Sequence, residues 1–549
     1  MSFCRRALPL ALTALVLPAH ADDLGDRLRM LFSTQFAFTR EGLPIVTVQL
    51  MEHQTEIVVG GDGIRVLPLG EGGPEVRGGG DWRVTLEGGA PARMRYFTVV
   101  ERIPVASKAD VPAALARWRG RGLDPKSFEV GTVFGVAGEV LDRRATVVGV
   151  GPYPDFGAAE RAGEDLRRRF HAEPGVHAEL FERPRGTVVA HGPGGVEVRA
   201  EGALWFAPRD AGGKLTARRV EFGVGYPNHG REDRSYWGKL YVAVDRAGTL
   251  ALVNAVPEDK LLAGLLPAEM YPNAPEEALK SQAVAARAEL LAKIGTRHLG
   301  DPYLVCASQH CQVYAGAGRE NPRTTAAIAA TRGQVLFREG VGDLVDTVYS
   351  SSCGGFTESN ENVWDDMPAD PALRGRPDVA GAEAAAFARF GGAINEANVR
   401  DFLAAAPPAF CNRGPHGGRN FRWTVRRSAQ ELADLVAPLG VGPLRELLVL
   451  ERGVSGRARA LEVRGERASK VVRGELRIRQ LLGGLHSGMF VVDVERSGGR
   501  PSAFVFLGGG FGHGVGLCQT GAIGMAEAGY KYADILRHYY RGSKIKKLY

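Results

Sequence analysis

Residues 261–294 read LLAGLLPAEMYPNAPEEALKSQAVAARAELLAKI, a stretch in which an isolated carboxylate precedes a helical pattern. Glu269 is its first charged residue, and no other charge lies between Lys260 and Glu276. A carboxyl group among apolar neighbours has its charged form disfavoured and its pKa raised, which suits a general acid near neutral pH. Glu269 is therefore the candidate catalytic acid. The alternative is a partly covered loop carboxylate without a chemical role.

A helix of about five turns is predicted directly after this glutamate. Pro275 suits a first helical position, Glu276 and Glu277 suit the first turn, Lys293 suits the last turn, and Gly295 follows as a stop signal. The spacing predicts that one face of this helix is buried.

Arg287 lies next to the predicted buried face of this helix. The apolar positions recur at three- and four-residue spacing and form a stripe, namely Leu279, Ala283, Ala286, Leu290 and Ile294. Arg287 is expected at the edge of this stripe, where a guanidinium either reaches solvent or points into a cleft.

Several motifs downstream resemble one known family. CASQHCQVY begins at Cys306, SSSCGGFTE begins at Ser350 and GHGVGLCQTGA begins at Gly512. With the glutamate and helix segments, they resemble the stage II sporulation protein D family, also called the SpoIID/LytB domain, over residues 235–549. Members of that family are peptidoglycan lytic transglycosylases or, in a related branch, enhancers of a cell-wall amidase. The resemblance implies that Glu269 and Arg287 are catalytic.

The predicted fold class is α+β, with several domains. A mixed SpoIID-like domain is expected to follow small β-rich modules. The predicted divisions are a signal peptide at 1–21, a β-rich segment at 22–90, a small module at 91–185, and the SpoIID/LytB domain at 186–549 with a subdomain around 380–500.

The module at 91–185 has alternating strand and helix patterns. Strands are predicted at 95–100 and 146–150, and helices at 111–121 and 156–170. A β-α-β-β-α-β order is consistent with these elements. The order, with the segment VGVGPY at 148–153, resembles a SPOR-type module, a small glycan-binding fold.

The amino terminus predicts export. Arg5 and Arg6 precede the apolar run 7–18 and the cleavage pattern Ala19-His20-Ala21, so the first 21 residues are interpreted as a secretory signal. No later run is apolar for long enough to suggest a membrane span. The mature protein is expected in the periplasm or associated with the cell wall.

Composition is typical of a globular protein that binds an anionic polymer. The chain has 549 residues, of which 44% are hydrophobic and 24% charged. Its formal charge of +7 falls to about +5 without the two signal-peptide arginines. Because the basic residues form no dense cluster, nucleic acid is not an expected partner.

A thiol and imidazole cluster suggests a metal site. Cys306, His310 and Cys311 lie within six residues, and His298 lies eight residues upstream. Thiolate and imidazole are the ligands that zinc prefers, but a local disulfide or free thiols remain alternatives. Some family members hold zinc at positions matching His298, Cys306 and Cys311, with His310 as an alternative imidazole. No cofactor is expected to be required.

Two further segments are candidates for binding substrate. Ser350 and Ser351 precede two glycines, which leave room for a sugar chain to approach the backbone. His513 and Gln519 flank the point where a glycine-rich loop leads into a predicted helix, and helix amino termini present backbone donors. A catalytic thiol at Cys518 is the rival interpretation of this loop.

One segment departs from the family pattern. Many members carry an aromatic residue, leucine and a basic residue soon after the tryptophan that matches Trp364, and here the segment is Ala372-Leu373-Arg374. Arg374 keeps the charge and is a candidate substrate-binding residue. Because Ala372 lacks the phenol, either another residue replaces it or activity is reduced.

The remaining cysteines suggest a disulfide. Removing the signal peptide leaves Cys306, Cys311, Cys353, Cys411 and Cys518, an odd number for an oxidising compartment. Cys353 and Cys411 are the candidate pair, since both lie outside the zinc-like cluster.

The sequence as a whole favours a lytic transglycosylase that acts on peptidoglycan glycan strands. One carboxylate suffices for this reaction, whereas an ordinary glycosidase needs two, and no paired partner for Glu269 is evident in the sequence. The resemblance leaves a second interpretation open, a non-catalytic wall-binding protein or an enhancer of a cell-wall amidase.

Overall fold

The computed structural model describes residues 27–549 except 28, 70–74, 137–138, 171–174, 224–228, 309, 341–342, 365–366, 414–417 and 419. The predicted signal peptide at 1–21 lies outside these residues. Helices and several sheets are mixed along the chain, which confirms the α+β class. Among the described helices, none combines the length and hydrophobicity required to cross a membrane.

A twelve-stranded sheet forms the base of the described structure. Its main path runs through nine strands in the order Ala37–Phe38, Pro44–Gln54, Leu250–Pro257, Lys239–Val244, Ala203–Pro208, Glu56–Pro68, Val76–Ala90, Arg185–His191 and Glu197–Glu201. Leu215–Phe222 and Gly230–Tyr236 pair beside Glu56–Pro68, and the short strand Val305–Cys306 pairs in parallel with Pro44–Gln54. The strands of the segment predicted at 22–90 lie in this sheet beside strands of residues 185–257.

A small α+β unit is inserted between two neighbouring strands of that sheet. Its elements are Arg93–Pro104, helix Val111–Arg119, Pro125–Val130, the hairpin Val133–Val136 and Glu139–Asp142, Ala145–Tyr153, helix Phe156–Phe170 and Gly175–Glu182. The four long strands form an antiparallel sheet, and the helices pack on it through a hydrophobic cluster of their own. The predicted β-α-β-β-α-β order is present, with the hairpin as an addition; a SPOR identity stays a prediction.

Two consecutive helices lie above the large sheet. Strand Leu250–Pro257 leads directly into helix Glu258–Glu269, here called the glutamate helix, and the next helix, Glu276–Lys293, is called the central helix. The central helix begins and ends within one residue of its prediction. It is buried on nearly all sides, because alanines at many positions let neighbours approach every face.

The carboxyl-terminal half wraps around the central helix. It contains helices Pro322–Ala330, Ala385–Ala388, Val399–Ala405, Gln519–Glu527 and Tyr532–Tyr539, and the strand pairs Gln334–Arg338 with Ser543–Lys547 and Tyr349–Ser350 with Leu517–Cys518. A further unit has its own hydrophobic cluster and consists of strands Arg422–Ser428, Leu444–Arg452, Ala458–Gly465, Ser469–Arg473, Phe490–Ser497 and Arg500–Gly509 with helices Ala429–Val436 and Glu475–Leu481. It overlaps the region around 380–500 where a subdomain was predicted, and its last strand, Arg500–Gly509, extends beyond that region.

Candidate functional site

Glu269 is the last residue of the glutamate helix. The helix is anchored by apolar residues, including Leu265 and Leu266, that are almost fully buried. Glu269 itself has intermediate exposure as a residue, while its carboxyl group is largely enclosed by protein. The prediction of a carboxyl group set in apolar surroundings therefore agrees with its position.

The loop after the thiol cluster supplies a hydrogen-bond donor to this carboxyl group. The Val313 amide donates to Glu269 Oε1 at 3.4 Å. Gly264 permits this approach, since a Cβ atom there would lie 2.6 Å from the Gly316 carbonyl oxygen and 2.7 Å from the Tyr314 ring. The loop and the glutamate helix are thus in close contact just beside the acid.

The environment raises the pKa of Glu269 to about 7. Burial is the largest cause, and the neighbouring Glu289 carboxylate adds to the rise. The Val313 amide, the Lys293 ammonium and the Gln519 side chain oppose it. A carboxyl group in this state can donate a proton near neutral pH and accept one back.

Glu289 is a second carboxylate near the site, but its oxygens are already engaged. It is 6% exposed, and its Oε1 accepts a bond from Lys293 while its Oε2 accepts one from Gln312 at 2.7 Å. Lys293 also donates to the Cys311 carbonyl oxygen at 2.6 Å. The network therefore holds residues 311 and 312, which lead directly to the Val313 amide.

Gln519 faces the acid from the carboxyl-terminal half of the chain. It begins the helix Gln519–Glu527, is 9% exposed, and donates from Nε2 to Gln282 Oε1 at 3.4 Å. Gln282 belongs to the central helix. Gln519 is the predicted substrate-binding residue that the structure brings to Glu269, as its effect on the glutamate's pKa shows.

Tyr349 was not singled out from the sequence. Its phenol oxygen is buried and has no hydrogen-bond partner among the described residues. Burial is the largest cause that raises the pKa of Tyr349, and the charges of Glu269 and Glu289 add to it. A neutral phenol therefore lies near the acid, whereas Ala372, at the position where the family carries one, is 2% exposed.

His513 is held by main-chain groups on both ring nitrogens. Its Nδ1 accepts from the Val515 amide at 3.1 Å, so Nε2 carries the proton and donates to the Tyr349 carbonyl oxygen at 3.0 Å. Burial and two arginines, Arg457 and Arg479, lower its pKa to about 3. This neutral imidazole therefore fixes strand Tyr349–Ser350, and a direct bond from His513 to a sugar stays a prediction.

The two predicted serines lie on the same strand end, each with a protein partner. Ser350 is buried and accepts from the Gly514 amide at 3.2 Å. Ser351 is partly exposed, accepts from Asn420 Nδ2 at 3.1 Å, and its carbonyl oxygen accepts from the Thr520 amide at 3.0 Å. Of the two hydroxyls, that of Ser351 is the one open to a ligand.

Arg374 is committed to neighbouring side chains. It pairs with Glu361 and donates to Asn360 Oδ1 at 2.6 Å and to the Asp370 carbonyl oxygen at 2.8 Å. No recorded contact joins it to Glu269 within the described residues, so its role in binding substrate stays a prediction.

The expected position of Arg287 is wrong. It is fully buried, and its Nε donates to Glu258 Oε1 at 2.7 Å, with Glu258 also fully buried. A second nitrogen donates to the Thr331 carbonyl oxygen at 2.8 Å. Because the central helix is covered on all sides, its stripe has no solvent edge, and Arg287 joins the two helices instead of facing a cleft.

The thiol and imidazole loop has the arrangement of a metal site. One donor atom from each of His298, Cys306, His310 and Cys311 lies within 4.8 Å of all the others. His298 Nδ1 contacts Asp301 Oδ2 at 2.9 Å, which leaves Nε2 turned toward Cys311 Sγ at 3.3 Å. The donor set fits zinc with four protein ligands, and a bound ion would fix the loop that carries Val313.

The predicted disulfide between Cys353 and Cys411 is not formed. Both thiols are free, with their Sγ atoms 3.6 Å apart. Sequence spacing had not shown that Cys518 lies beside them.

Fold and site together define a mixed α+β protein in which Glu269, at a helix end, lies near the Val313 amide after the thiol and imidazole loop and near Gln519 after the glycine-rich loop. Residues 246–337 match the family model described as Stage II sporulation protein, SpoIID, and residues 358–516 match a domain of unknown function, DUF8618. These matches confirm the predicted resemblance to the SpoIID family, and the matched residues 246–337 include Glu269.

Curated relatives match along about half of the chain. An uncharacterised protein of Brachyspira hyodysenteriae is 29% identical over 56% of this chain and 72% of its own length. The amidase enhancer of Bacillus subtilis is 26% identical over 52% of this chain but only 40% of its own length. Stage II sporulation protein D of Bacillus amyloliquefaciens is 25% identical over 54% of this chain and 76% of its own length.

Proposed function

We propose that this protein is an exported cell-wall protein that cleaves peptidoglycan glycan strands as a lytic transglycosylase. The observation that carries the proposal is the setting of Glu269, a largely enclosed carboxyl group whose pKa is raised to about 7 and which receives one backbone donor. The match of residues 246–337 to the SpoIID family model supports the choice of substrate.

The reaction needs one group that first donates and then accepts a proton. Protonated Glu269 gives its proton to the glycosidic oxygen between N-acetylmuramic acid and N-acetylglucosamine, and the bond from that oxygen to C1 breaks. The resulting carboxylate accepts the proton of the muramic C6 hydroxyl as O6 forms a bond to C1. The 1,6-anhydro ring closes, no water is consumed, and Glu269 is protonated again.

The surroundings of Glu269 favour this reaction over ordinary hydrolysis. A hydrolase needs a second carboxylate to activate water or to trap the sugar. The nearby Glu289 is buried and bonded to Lys293 and Gln312, so it is unavailable for either task. The Val313 amide and Gln519 are placed to stabilise the carboxylate after it has given its proton.

A metal ion at His298, Cys306, His310 and Cys311 is proposed to act through structure alone. With four protein donors, it would hold the loop that presents the Val313 amide. Metal content of the wild type and of Cys306→Ser tests this, since equal metal in both proteins contradicts it.

A second candidate function is enhancement of a cell-wall amidase without turnover. The similarity to the amidase enhancer of Bacillus subtilis favours it. Its discriminating property is that Glu269 would then be dispensable.

Product analysis separates the two functions. Wild type, Glu269→Gln and the matched control Glu276→Gln, an exposed residue in the first turn of the central helix, are incubated with denuded glycan and with intact sacculi. The proposal predicts 1,6-anhydro ends from wild type and control and none from Glu269→Gln, which still binds sacculi. Absence of new ends from wild type, with unchanged amidase stimulation by Glu269→Gln, supports the enhancer and contradicts the transglycosylase.

A further inference from the structure

A second group of metal-binding side chains lies outside the candidate active site. Cys353, Asp378, Cys411 and Cys518 each place one donor atom within 4.8 Å of the other three, and all four are buried. They come from four separate segments of the chain: the loop after strand Tyr349–Ser350, an extended segment, the short turn Phe410–Asn412, and the residue before helix Gln519–Glu527. Three thiols and a carboxylate from distant positions in the chain therefore meet in one buried cluster.

The spacing of the thiols fits a shared ion. Cys353 Sγ and Cys411 Sγ are 3.6 Å apart. Bonded sulfur atoms lie about 2.05 Å apart, whereas tetrahedral zinc with zinc–sulfur distances of about 2.3 Å places its sulfurs about 3.8 Å apart. A third thiol beside the pair also has no role in a single disulfide.

Main-chain and side-chain donors orient the group from outside. Cys518 Sγ accepts from the Cys353 amide at 3.1 Å and from the Gly521 amide at 3.3 Å. Asp378 accepts from the Tyr539 hydroxyl at 2.7 Å and from the Cys411 amide at 2.9 Å. Such bonds to ligand atoms are typical of the outer shell of metal sites.

Close packing and nearby cations complete the surroundings. A Cβ atom at Gly521 would overlap the Tyr539 hydroxyl and lie 2.9 Å from Asp378 Oδ2, so only glycine lets the helix approach. Arg457 donates to the Cys353 carbonyl oxygen at 3.2 Å, and Arg422 donates to the Gly354 carbonyl oxygen at 2.9 Å. These two guanidinium groups offset the excess negative charge of three thiolates and a carboxylate around a divalent ion.

We propose that Cys353, Asp378, Cys411 and Cys518 bind a structural zinc ion. Binding releases the three thiol protons to solvent, and no ligand position is left for water. Because Cys518 immediately precedes Gln519, the ion fixes the start of the helix that brings Gln519 to Glu269. The site is separate from the loop of His298, Cys306, His310 and Cys311, and its test by metal content does not depend on the proposed reaction.

Metal analysis of variants tests this site without interference from the other one. The double variant Cys306→Ser/Cys311→Ser, produced with added zinc and purified without chelator, is expected to retain about one zinc ion per chain. Adding Cys411→Ser or Asp378→Asn is expected to remove most of this zinc, whereas the control Asp434→Asn, on the exposed face of helix Ala429–Val436, leaves it unchanged. Loading the double variant with cobalt(II) in place of zinc should give thiolate-to-metal absorption that weakens with each cysteine replaced.

Two results would overturn the proposal. One is a folded double variant that carries no zinc and takes up no cobalt. The other is a disulfide among Cys353, Cys411 and Cys518 in wild-type protein purified without reductant and mapped peptide by peptide after denaturation. The second measurement decides the matter even where a variant fails to fold, since the proposal requires all three residues to be recovered as thiols.

Discussion

At the residue scale, the position of Glu269 lowers the stability of the folded protein. Its pKa of about 7 lies above the ordinary value of 4.5, so the folded state holds an extra proton between these two pH values. Stability contributed by the protonated form is complete below about pH 4.5 and is lost as pH rises to about 7. Ionisation of the buried Glu269 carboxyl group therefore lowers the free energy of unfolding at neutral pH and above.

The first prediction follows from this decrease in stability with rising pH. Glu269→Gln should raise the free energy of unfolding at pH 8, where the wild-type carboxylate is charged, and should change it much less at pH 5, where the carboxyl group is neutral. Urea unfolding of wild type, Glu269→Gln and Glu276→Gln at both pH values measures the difference. An equal effect of Glu269→Gln at pH 5 and pH 8 would show that the pKa is not raised.

The second prediction concerns the phenol that Tyr349 brings near the acid. Tyr349→Phe should lower kcat about tenfold or more, since the phenol, which has no partner among the described residues of the free protein, is expected to donate to a charged group during the reaction, and such a bond contributes ~1.5–3 kcal/mol. Loss of a donor near the carboxylate should also move the fall in kcat/KM above neutral pH to higher pH. A pH–rate profile of Tyr349→Phe, beside Tyr153→Phe in the inserted unit, measures both effects. Identical profiles for the two variants would exclude a role for this phenol.

At the element scale, the central helix shows what sequence patterns capture and what they miss. Its bounds were predictable because Pro275, Lys293 and Gly295 are local signals. Its burial on all sides was not, since alanine fits both buried and exposed faces and gives no polarity contrast. The position of Arg287 was misjudged for the same reason.

The same limit applies to the site. Glu269 and the thiol loop could be found from local composition and the family resemblance. Glu289, Gln312 and Tyr349 could not, because their importance depends on contacts between elements that are distant in the chain. Cys518 was considered as a nucleophile, but its neighbours Cys353 and Cys411 lie more than a hundred residues away.

The third prediction tests whether Arg287 is structural. Arg287→Met leaves Glu258 buried without its charge partner and should lower the free energy of unfolding by about 3–5 kcal/mol. The double variant Arg287→Met/Glu258→Met should recover much of this loss, because replacing both members of a buried pair by apolar groups is often neutral. Urea unfolding measures both. Unchanged stability of the single variant, with kcat strongly reduced, would instead support a catalytic arginine.

At the scale of the whole molecule, the small unit at 93–182 is an insertion into a continuous sheet. Ala90 and Arg185 are paired neighbours on adjacent strands, so the two ends of the inserted unit are close together. A cleft of about 500 Å³ lies between this unit and the loop that contains His298, and residues from both line it. The unit therefore forms one wall of a cleft whose other wall is the loop that contains His298.

The fourth prediction follows from these joined ends. Replacing residues 92–183 by a short glycine–serine linker should leave the remainder folded and able to cleave denuded glycan, but with weaker binding to intact sacculi. Sedimentation with sacculi and circular dichroism compare the shortened protein with the full chain. Equal binding by both proteins would exclude a glycan-binding role for the unit, and loss of folding would contradict its independence.

In the proposed reaction, the muramic C6 hydroxyl, and not water, attacks C1, and Glu269 first donates and then accepts a proton. The most direct test is digestion of denuded glycan in water enriched in oxygen-18, followed by mass analysis of the new ends. Attack by O6 gives 1,6-anhydro ends without the heavy isotope, and Glu269→Gln gives none. Reducing ends that carry oxygen-18 would show a hydrolase and would contradict the proposed reaction.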